Sequence, residues 1–292
     1  MLRSLFSGIS GLRAHQQMMD VTGNNIANVN TTGYKSSSVE FEDTLSQTIS
    51  GGGAATATAG GTNPVQIGLG VQVVGTRMDF TQGSNQATGV KSNMLINGDG
   101  FFAVTKNGQT MYTRNGNFAV DDQGHLTTPD GAELMGTITD PTTTPPTVTG
   151  APIQLPLASA TDSAGNPLGT WVDYNIAPDG TITGVDGTGQ PVDVNGNPIT
   201  ATSPVLKIDL ETFSNPDGLE RAGNSLYMAT SASGTASTTG VGTITTGYVE
   251  MSNVDLSKEL TNLIISERGF QANSKVITTS DEVLQTLVNL KQ

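Results

Sequence analysis

The sequence has no cysteine, a single tryptophan, two histidines and only 13 lysines and arginines. Each shortage closes a class of function. Without cysteine there is no disulfide, no thiolate nucleophile and no thiolate-held metal. The histidines, His15 and His125, fall in segments of different character, and no Cys/His metal-ligand spacing exists. No apolar run approaches the ~18 residues of a membrane-spanning helix, so no membrane insertion is expected. Against the 13 basic residues stand 26 acidic ones, for a net charge of −13. Residues 46–246 carry 6 basic and 16 acidic side chains, so most of the excess lies in the middle of the chain. An acidic surface repels phosphate, which excludes nucleic acid as a partner.

Catalytic patterns are equally scarce. Gly68-Leu69-Gly70 opens like a dinucleotide-binding turn, but it lies in an alternating, strand-like stretch with no helix behind it. Ser7-Gly8-Ile9-Ser10-Gly11 has its serine at the wrong offset for a nucleophile elbow, and no strand precedes it. Asp121, Asp122, Asp186 and Asp193 sit beside glycine in turn contexts, without the ligand spacing of a calcium loop. No catalytic residue, metal or cofactor is expected. A binding module, such as a secreted adhesin with a β head and a helical stalk, would need an exposed aromatic or apolar patch. Aromatic residues are 5% of the chain and fall mostly at hairpin positions, which weighs against it.

What the chain does have is a helical rhythm at both ends. Leu2, Leu5, Ile9, Leu12, Met19 and Ile26, with Gln16 and Gly23 filling the gaps, step by threes and fours. Leu256, Leu260, Leu263, Glu267, Phe270, Ser274, Ile277, Asp281, Leu284 and Val288 do the same. Sustained three-four alternation predicts helices that pack side by side in a coiled-coil-like manner. Asn24, Asn25, Asn28 and Asn30 crowd the end of the first helix, and Gly33 supplies a stop. The apolar members of both stripes, together with Asn24, Asn25 and Asn28, are the candidate assembly interface. The polar interruptions suit helices that must find one register.

Between the ends the pattern changes. The chain holds 49 glycines and prolines, about one residue in six, and most of this excess lies between residues 50 and 250. Residues 46–63 are small and uncharged and read as a flexible connector. From 64 onward apolar residues alternate, as in Gln66 to Val73, Phe101 to Val104 and Gln109 to Thr113. Asn97-Gly98, Asn107-Gly108, Asn115-Gly116 and Asp130-Gly131 punctuate them as hairpin turns do. The expected organisation is an N-terminal assembly helix in 1–45, a connector in 46–63, and a β domain in 64–229. A second connector follows in 230–252 and a C-terminal assembly helix in 253–292. Residues 136–203, with Asp140-Pro141 and Asn166-Pro167, read as a long excursion from the β domain. The fold class is α+β: a mainly antiparallel β domain flanked by terminal helices that pack together. Helices set apart by connectors are marginal alone and are expected to order on assembly.

Four stretches carry a resemblance. They are Ser7 to Leu12 with Asn24-Asn25-Ile26-Ala27-Asn28 to Lys35, Gln66 to Gly70 with Thr81 to Ser84, Ile96 to Phe102 with Tyr112 to Phe118, and Ser252 to Leu260 running on to Lys291. Together they resemble the flagellar axial rod and hook family of bacteria. The likeness is greatest toward its hook subunits, through Asn253 to Leu260 and Leu287 to Lys291, and residues 136–203 are too short for the outer domain of longer members. The resemblance therefore implies a minimal hook subunit. Such a subunit is exported unfolded without a cleaved signal peptide and polymerises outside the cell into a curved tube that passes motor torque from rod to filament. Apolar residues in 1–20 are spread by helical period and broken by Arg13, His15 and Gln16 rather than gathered in one core, so the start does not read as a cleavable secretory signal. The implied partners are further copies of the chain, the distal rod protein, the hook cap protein, the hook–filament junction protein and the flagellar export apparatus. The distal rod protein, which shares the start and the β motifs, is the alternative identity.

Overall fold

The computed structural model describes residues 2–54, 60–140, 147–158, 169–200 and 203–290. The chain divides into two compact units. One gathers Met1–Val29, Ser36–Asp79 and Val254–Gln292, and the other gathers Asn30–Lys35 and Phe80–Asn253.

The first unit holds helix α1 (Leu2–Ala27) and helix α2 (Leu256–Asn289). Asp255 starts α2: its carboxylate accepts the backbone N–H of Ser257 at 2.9 Å and of Lys258 at 3.3 Å, filling orphan donors of the first turn. The helices run antiparallel, because Gly8 faces Ile277, Gly11 faces Asn273 and His15 faces Gly269. The seam is built from small side chains. Gly8, Gly11, Ala14 and Thr22 of α1 are buried, as are Ser266 and Glu259 of α2. A Cβ on Gly11 would stand 2.8 Å from the Asn273 amide, so the close approach depends on glycine. The helices thus find a partner within the chain itself.

Alongside α1 runs a two-stranded ribbon. Ser37–Asp43 pairs antiparallel with Val71–Met78, with a bulge at Glu40 and Phe41. The pairing continues through Thr44 and Leu45 to Ser46–Ser50 against Val65–Gly68, then to a bridge between Gly53 and Thr62. The described part of 46–63, expected as a flexible connector, is therefore mostly ribbon, and 64–79 belongs with the helices rather than with the β domain. Asn25 ties α1 to the ribbon. Its Nδ2 donates to Ser37 O at 2.7 Å, and its Oδ1 accepts Ser37 N–H at 3.1 Å. Val71 N–H donates to Ser10 Oγ at 3.3 Å, and a Cβ on Gly70, at φ +134°, would overlap that hydroxyl. This contact is the local reason for Gly70.

The second unit is one antiparallel sheet with smaller pairs around it. Its strand order is Asp173–Ile176, Thr181–Val185, Val205–Ile208, Glu133–Asp140, Phe101–Lys106, Gln109–Thr113, Leu226–Met228, Glu220–Gly223. One core lies behind it, with Phe102, Phe118, Leu126, Leu134, Ile153, Leu155, Trp171 and Ile208 almost wholly excluded from water. The expected excursion over 136–203 is corrected here for its described residues. Ile153, Leu155, Leu157, Trp171, Ile176, Ile182 and Val192 all belong to this core, and the Trp171 indole donates to Asp193 O at 2.8 Å. Short apolar runs between glycines and prolines are enough to anchor the segment. Residues 141–146 and 159–168 lie outside the described residues.

Residues 230–252, expected as a connector, contribute Thr243–Thr246 paired to Met94–Asn97, and Tyr248–Glu250 paired to Asn85–Ala87. Asn107-Gly108 forms the expected tight hairpin turn, with φ of 53° and 78°. Asn97-Gly98 and Asn115-Gly116 do not. Met94–Asn97 pairs with Thr243–Thr246 instead of the next strand, and Gly116 is required because a side chain there would collide with the Met94 carbonyl.

Candidate assembly interface

The expected stripe residues do not share one environment. Leu5, Leu12, Met19 and Ile26 of α1 are half-buried, while Ile9 is exposed. On α2, Leu263, Phe270, Ile277 and Leu284 are half-buried, but Leu256, Leu260 (49% exposed) and Val288 (62%) face solvent. The side chain of Leu2 lies outside the described set. Glycines and other small residues beside the stripe take the closest contacts, which leaves the large apolar residues at the flanks and on the open faces.

The asparagines work inside the chain. Asn28 Nδ2 donates to Asn24 O and Oδ1, both at 2.9 Å, closing the last turn of α1, and both amide groups of Asn25 are occupied by Ser37. Asn24, Asn25 and Asn28 therefore shape the surface that α1 presents.

Among the described residues of the first unit, two groups of apolar side chains stand exposed over a long reach. One is the α2 face of Leu256, Leu260 and Ile264, one helical turn apart; Val283 and Leu287 are exposed on a different side of the same helix. The other is the ribbon, where Phe41, Leu45 (83% exposed), Ile49, Val65, Ile67 and Val74 are exposed. No Asp, Glu, Lys, Arg or His occurs between Asp43 and Arg77. Natural edge strands are normally blunted by charge or proline. The distal part of the ribbon, Ser46–Ser50 against Val65–Gly68, has no charged residue and carries apolar side chains into solvent. Sequence reasoning missed this second surface. The signal was present in the length of the uncharged stretch, but its small residues resemble those of a linker.

Polar groups in the second unit serve the fold. Asp121, Asp186 and Asp193 each accept backbone N–H groups two and four residues ahead, at 2.6–3.0 Å, across a turn whose glycine has positive φ. Among the described residues no group of three or more His, Asp or Glu side chains is placed to hold a metal ion. No described helix is long and apolar enough to cross a membrane. Burial raises the Glu211 carboxyl above its ordinary range, and the charge of Asp209 adds to it while a bond from Tyr112 opposes it. Burial likewise pushes the Tyr112 hydroxyl up to about 12.

Three family descriptions match parts of the chain. Residues 5–35 match the family described as flagella basal body rod protein, and 95–184 the flagellar hook protein FlgE/F/G D1 domain. Residues 245–290 match the flagellar basal body rod FlgEFG protein C-terminal family. Over 298 aligned positions covering both chains completely, the sequence is 43% identical to the flagellar basal-body rod protein FlgG of Bacillus subtilis (strain 168). The chain belongs to the flagellar rod and hook protein family.

It is also 36% identical to the flagellar basal-body rod protein FlgG of Buchnera aphidicola subsp. Acyrthosiphon pisum, over 99% of this chain and 100% of that one. To the flagellar hook protein FlgE of Borreliella burgdorferi it is 30% identical over 441 positions, again covering both chains completely. The rod and hook family consists of structural components of the flagellum, in keeping with a chain read as structural rather than enzymatic. The family's terminal matches fall on α1 with the turn after it and on α2.

Proposed function

We propose that this chain is a subunit of the flagellar rod, the distal rod in particular, and that it polymerises with further copies of itself through the open faces of α2 and the ribbon. The observation that carries the rod assignment is length. The alignment with the Bacillus rod protein closes over 298 positions for 292 residues, with both chains covered. The hook alignment needs 441 positions, so about a third of its columns have no residue of this chain opposite them. The described part of 136–203 packs into the single core of the second unit, which also suits a member without an outer domain.

The physical driving force is the exposed apolar surface. Fully burying a Leu, Ile or Val side chain contributes about 1.5–3 kcal/mol. A handful of such residues on each copy is enough to drive stacking once many contacts repeat. The hook reading retains the support of the hook relatives and of the C-terminal motifs, and contacts with a hook cap or a hook–filament junction protein belong to that reading. Export of the subunit by the flagellar apparatus is common to both.

Electron microscopy of basal bodies from a strain lacking the gene separates the two. Rods that stop short support the rod assignment. Complete rods without hooks would reverse it in favour of the hook.

A further inference from the structure

The chain holds four Asn-Gly pairs, at Asn97, Asn107, Asn115 and Asn195. Each is a chemical weak point in an open chain. The glycine nitrogen, with no Cβ beside it to obstruct the approach, can attack the side-chain amide carbon of the asparagine before it. The fold does not treat the four alike.

Three of them are held. Gly98 N–H donates to Gln82 Oε1 at 3.3 Å, and Asn97 is paired in the ladder opposite Thr243. Asn115 Oδ1 accepts from Thr32 Oγ1 at 3.0 Å and from Asn117 N–H at 3.1 Å, and Gly116 is buried against the Met94 carbonyl. Gly196 N–H donates to Asp193 O at 3.0 Å, and Asn195 N–H donates to Asp193 Oδ1 at 2.9 Å. A nitrogen engaged as a donor, or an amide fixed through its oxygen, must give up those bonds before it reacts.

The fourth is open. Asn107 and Gly108 are the two loop residues between Phe101–Lys106 and Gln109–Thr113. Both are exposed, and a Cβ on Gly108 would meet nothing within 4 Å. Among the described residues neither the Asn107 amide nor the Gly108 N–H has a hydrogen-bond partner. The Lys106–Gln109 pair closes the loop, so opening that one pair frees the tip to reach the attacking geometry.

We propose that Asn107 is the deamidation site of this chain. The Gly108 nitrogen gives up its proton to solvent and bonds to Cγ of Asn107. The bond from Cγ to the amide nitrogen breaks, and ammonia leaves. Water then opens the resulting cyclic imide at one of its two carbonyls. One opening gives aspartate, and the other gives isoaspartate, whose main chain is one atom longer. The net change is amide plus water to carboxylic acid plus ammonia, with no oxidant or metal. Either product sets a new carboxylate next to Lys106, whose ammonium already holds Asp130 at 2.8 Å. The longer isoaspartyl main chain no longer fits a two-residue turn, so the tip of the hairpin frays. The reaction belongs to the single chain, whatever polymer it joins.

The test ages the full-length chain in mildly alkaline buffer, once folded and once unfolded in guanidinium, and follows the four sites by peptide mass spectrometry. Trypsin frees residues 107–114 as one peptide, and fragmentation locates the change at the other sites. In the folded chain Asn107 should gain its mass unit several-fold faster than Asn97, Asn115 and Asn195. In guanidinium the four rates should draw level. Protein isoaspartyl methyltransferase should label the aged natural chain several-fold more than aged Asn107→Gly, which keeps a residue suited to positive φ in the turn. A folded chain in which any of the other three converts as fast as Asn107 overturns the proposal. So does an Asn107 that stays intact over times that convert the unfolded chain.

Discussion

Lys35 and Glu250, 215 positions apart in the chain, meet at 2.6 Å with side chains 0% and 1% exposed. Around them the second unit closes on itself. Lys35 Nζ also donates to Thr81 O at 2.8 Å, Glu250 Oε1 accepts Gly83 N–H at 2.8 Å, and Gly33 N–H donates to Glu250 O at 2.8 Å. Arg114 stands 3.6 Å from the second carboxylate oxygen, and Arg221 lies over the Tyr34 ring at 5.1 Å. Gly33, at φ +67°, brings its backbone so near Asn115 that a Cβ would stand 2.5 Å from the Asn115 nitrogen. The Thr-Thr-Gly-Tyr-Lys run after α1 is thus part of the β unit, and the segment leading to α2 is fastened beside it.

Breaking that pair should be costly. Lys35→Met or Glu250→Gln removes one half of a buried ion pair, and either change should destabilise the second unit by about 3–5 kcal/mol, with Lys35→Met the milder because Arg114 stays beside Glu250. The double variant should cost less than the sum of the two, because Lys35 is no longer left without its carboxylate, although Arg114 still loses it. Urea unfolding followed by Trp171 fluorescence measures it. Additive losses would mean that the two groups do not depend on each other.

The glycines of α1 and α2 make a sharper prediction, because they differ in surroundings. Gly269→Val forces a side chain into the His15 ring and should abolish helix pairing. Gly23 also lies in α1, but a Cβ there meets nothing within 4 Å. Gly23→Ala should therefore raise helical stability by about 0.5–1 kcal/mol through lost chain entropy alone. Circular dichroism melts of both variants check the contrast, which would fail if the two behaved alike.

Those glycines also show what was legible in the sequence. Periodicity located both helices, because large apolar residues recur every three or four positions. It could not locate the seam, since Gly8, Gly11 and Gly269 make their contacts by having no side chain. The alternation from Gln66 to Val73 marked a strand, but its partner at 46–50 lacks the bulk and charge pattern that would announce one. Trp171 and Ile153 to Leu157 were hidden among prolines and glycines, and only long-range pairing shows them to be core. The aspartate turns were legible because an Asp followed three residues later by Gly has a local mechanism.

Glu211 should give the chain a pH dependence of opposite sign to that of a salt-bridged carboxylate. Its carboxyl is raised by burial, with Asp209 adding to the shift. The folded state therefore holds its proton longer than the unfolded chain, whose glutamates titrate near ~4.3. Stability from the neutral form is complete below that value and is lost as pH rises through the folded one. Glu211→Gln, which still accepts from the Tyr112 hydroxyl, should stabilise the protein at neutral pH. The half-exposed position limits the gain to less than about 1 kcal/mol, and the gain should vanish near ~pH 4. Urea midpoints at the two pH values read it, and an equal effect at both would contradict the burial argument.

Assembly should separate from folding on the two open faces. Ile264→Asp on α2 and Ile49→Asp on the ribbon each replace an exposed apolar side chain, so the single chain gains no buried charge and should melt within about 0.5 °C to 3 °C of the natural protein. In a polymer that covers these faces the same aspartates become buried charges without partners, each costing several kcal/mol at every repeated contact. Sedimentation velocity should then find monomers where the natural chain forms filaments. Leu263→Asp and Phe270→Asp differ, because both side chains are already half-buried within the chain and should lower the helical melt as well. Ribbon and α2 variants that polymerise normally would show that neither face is an interface. Loss of assembly from α2 variants alone would leave the uncharged ribbon without a role in the polymer.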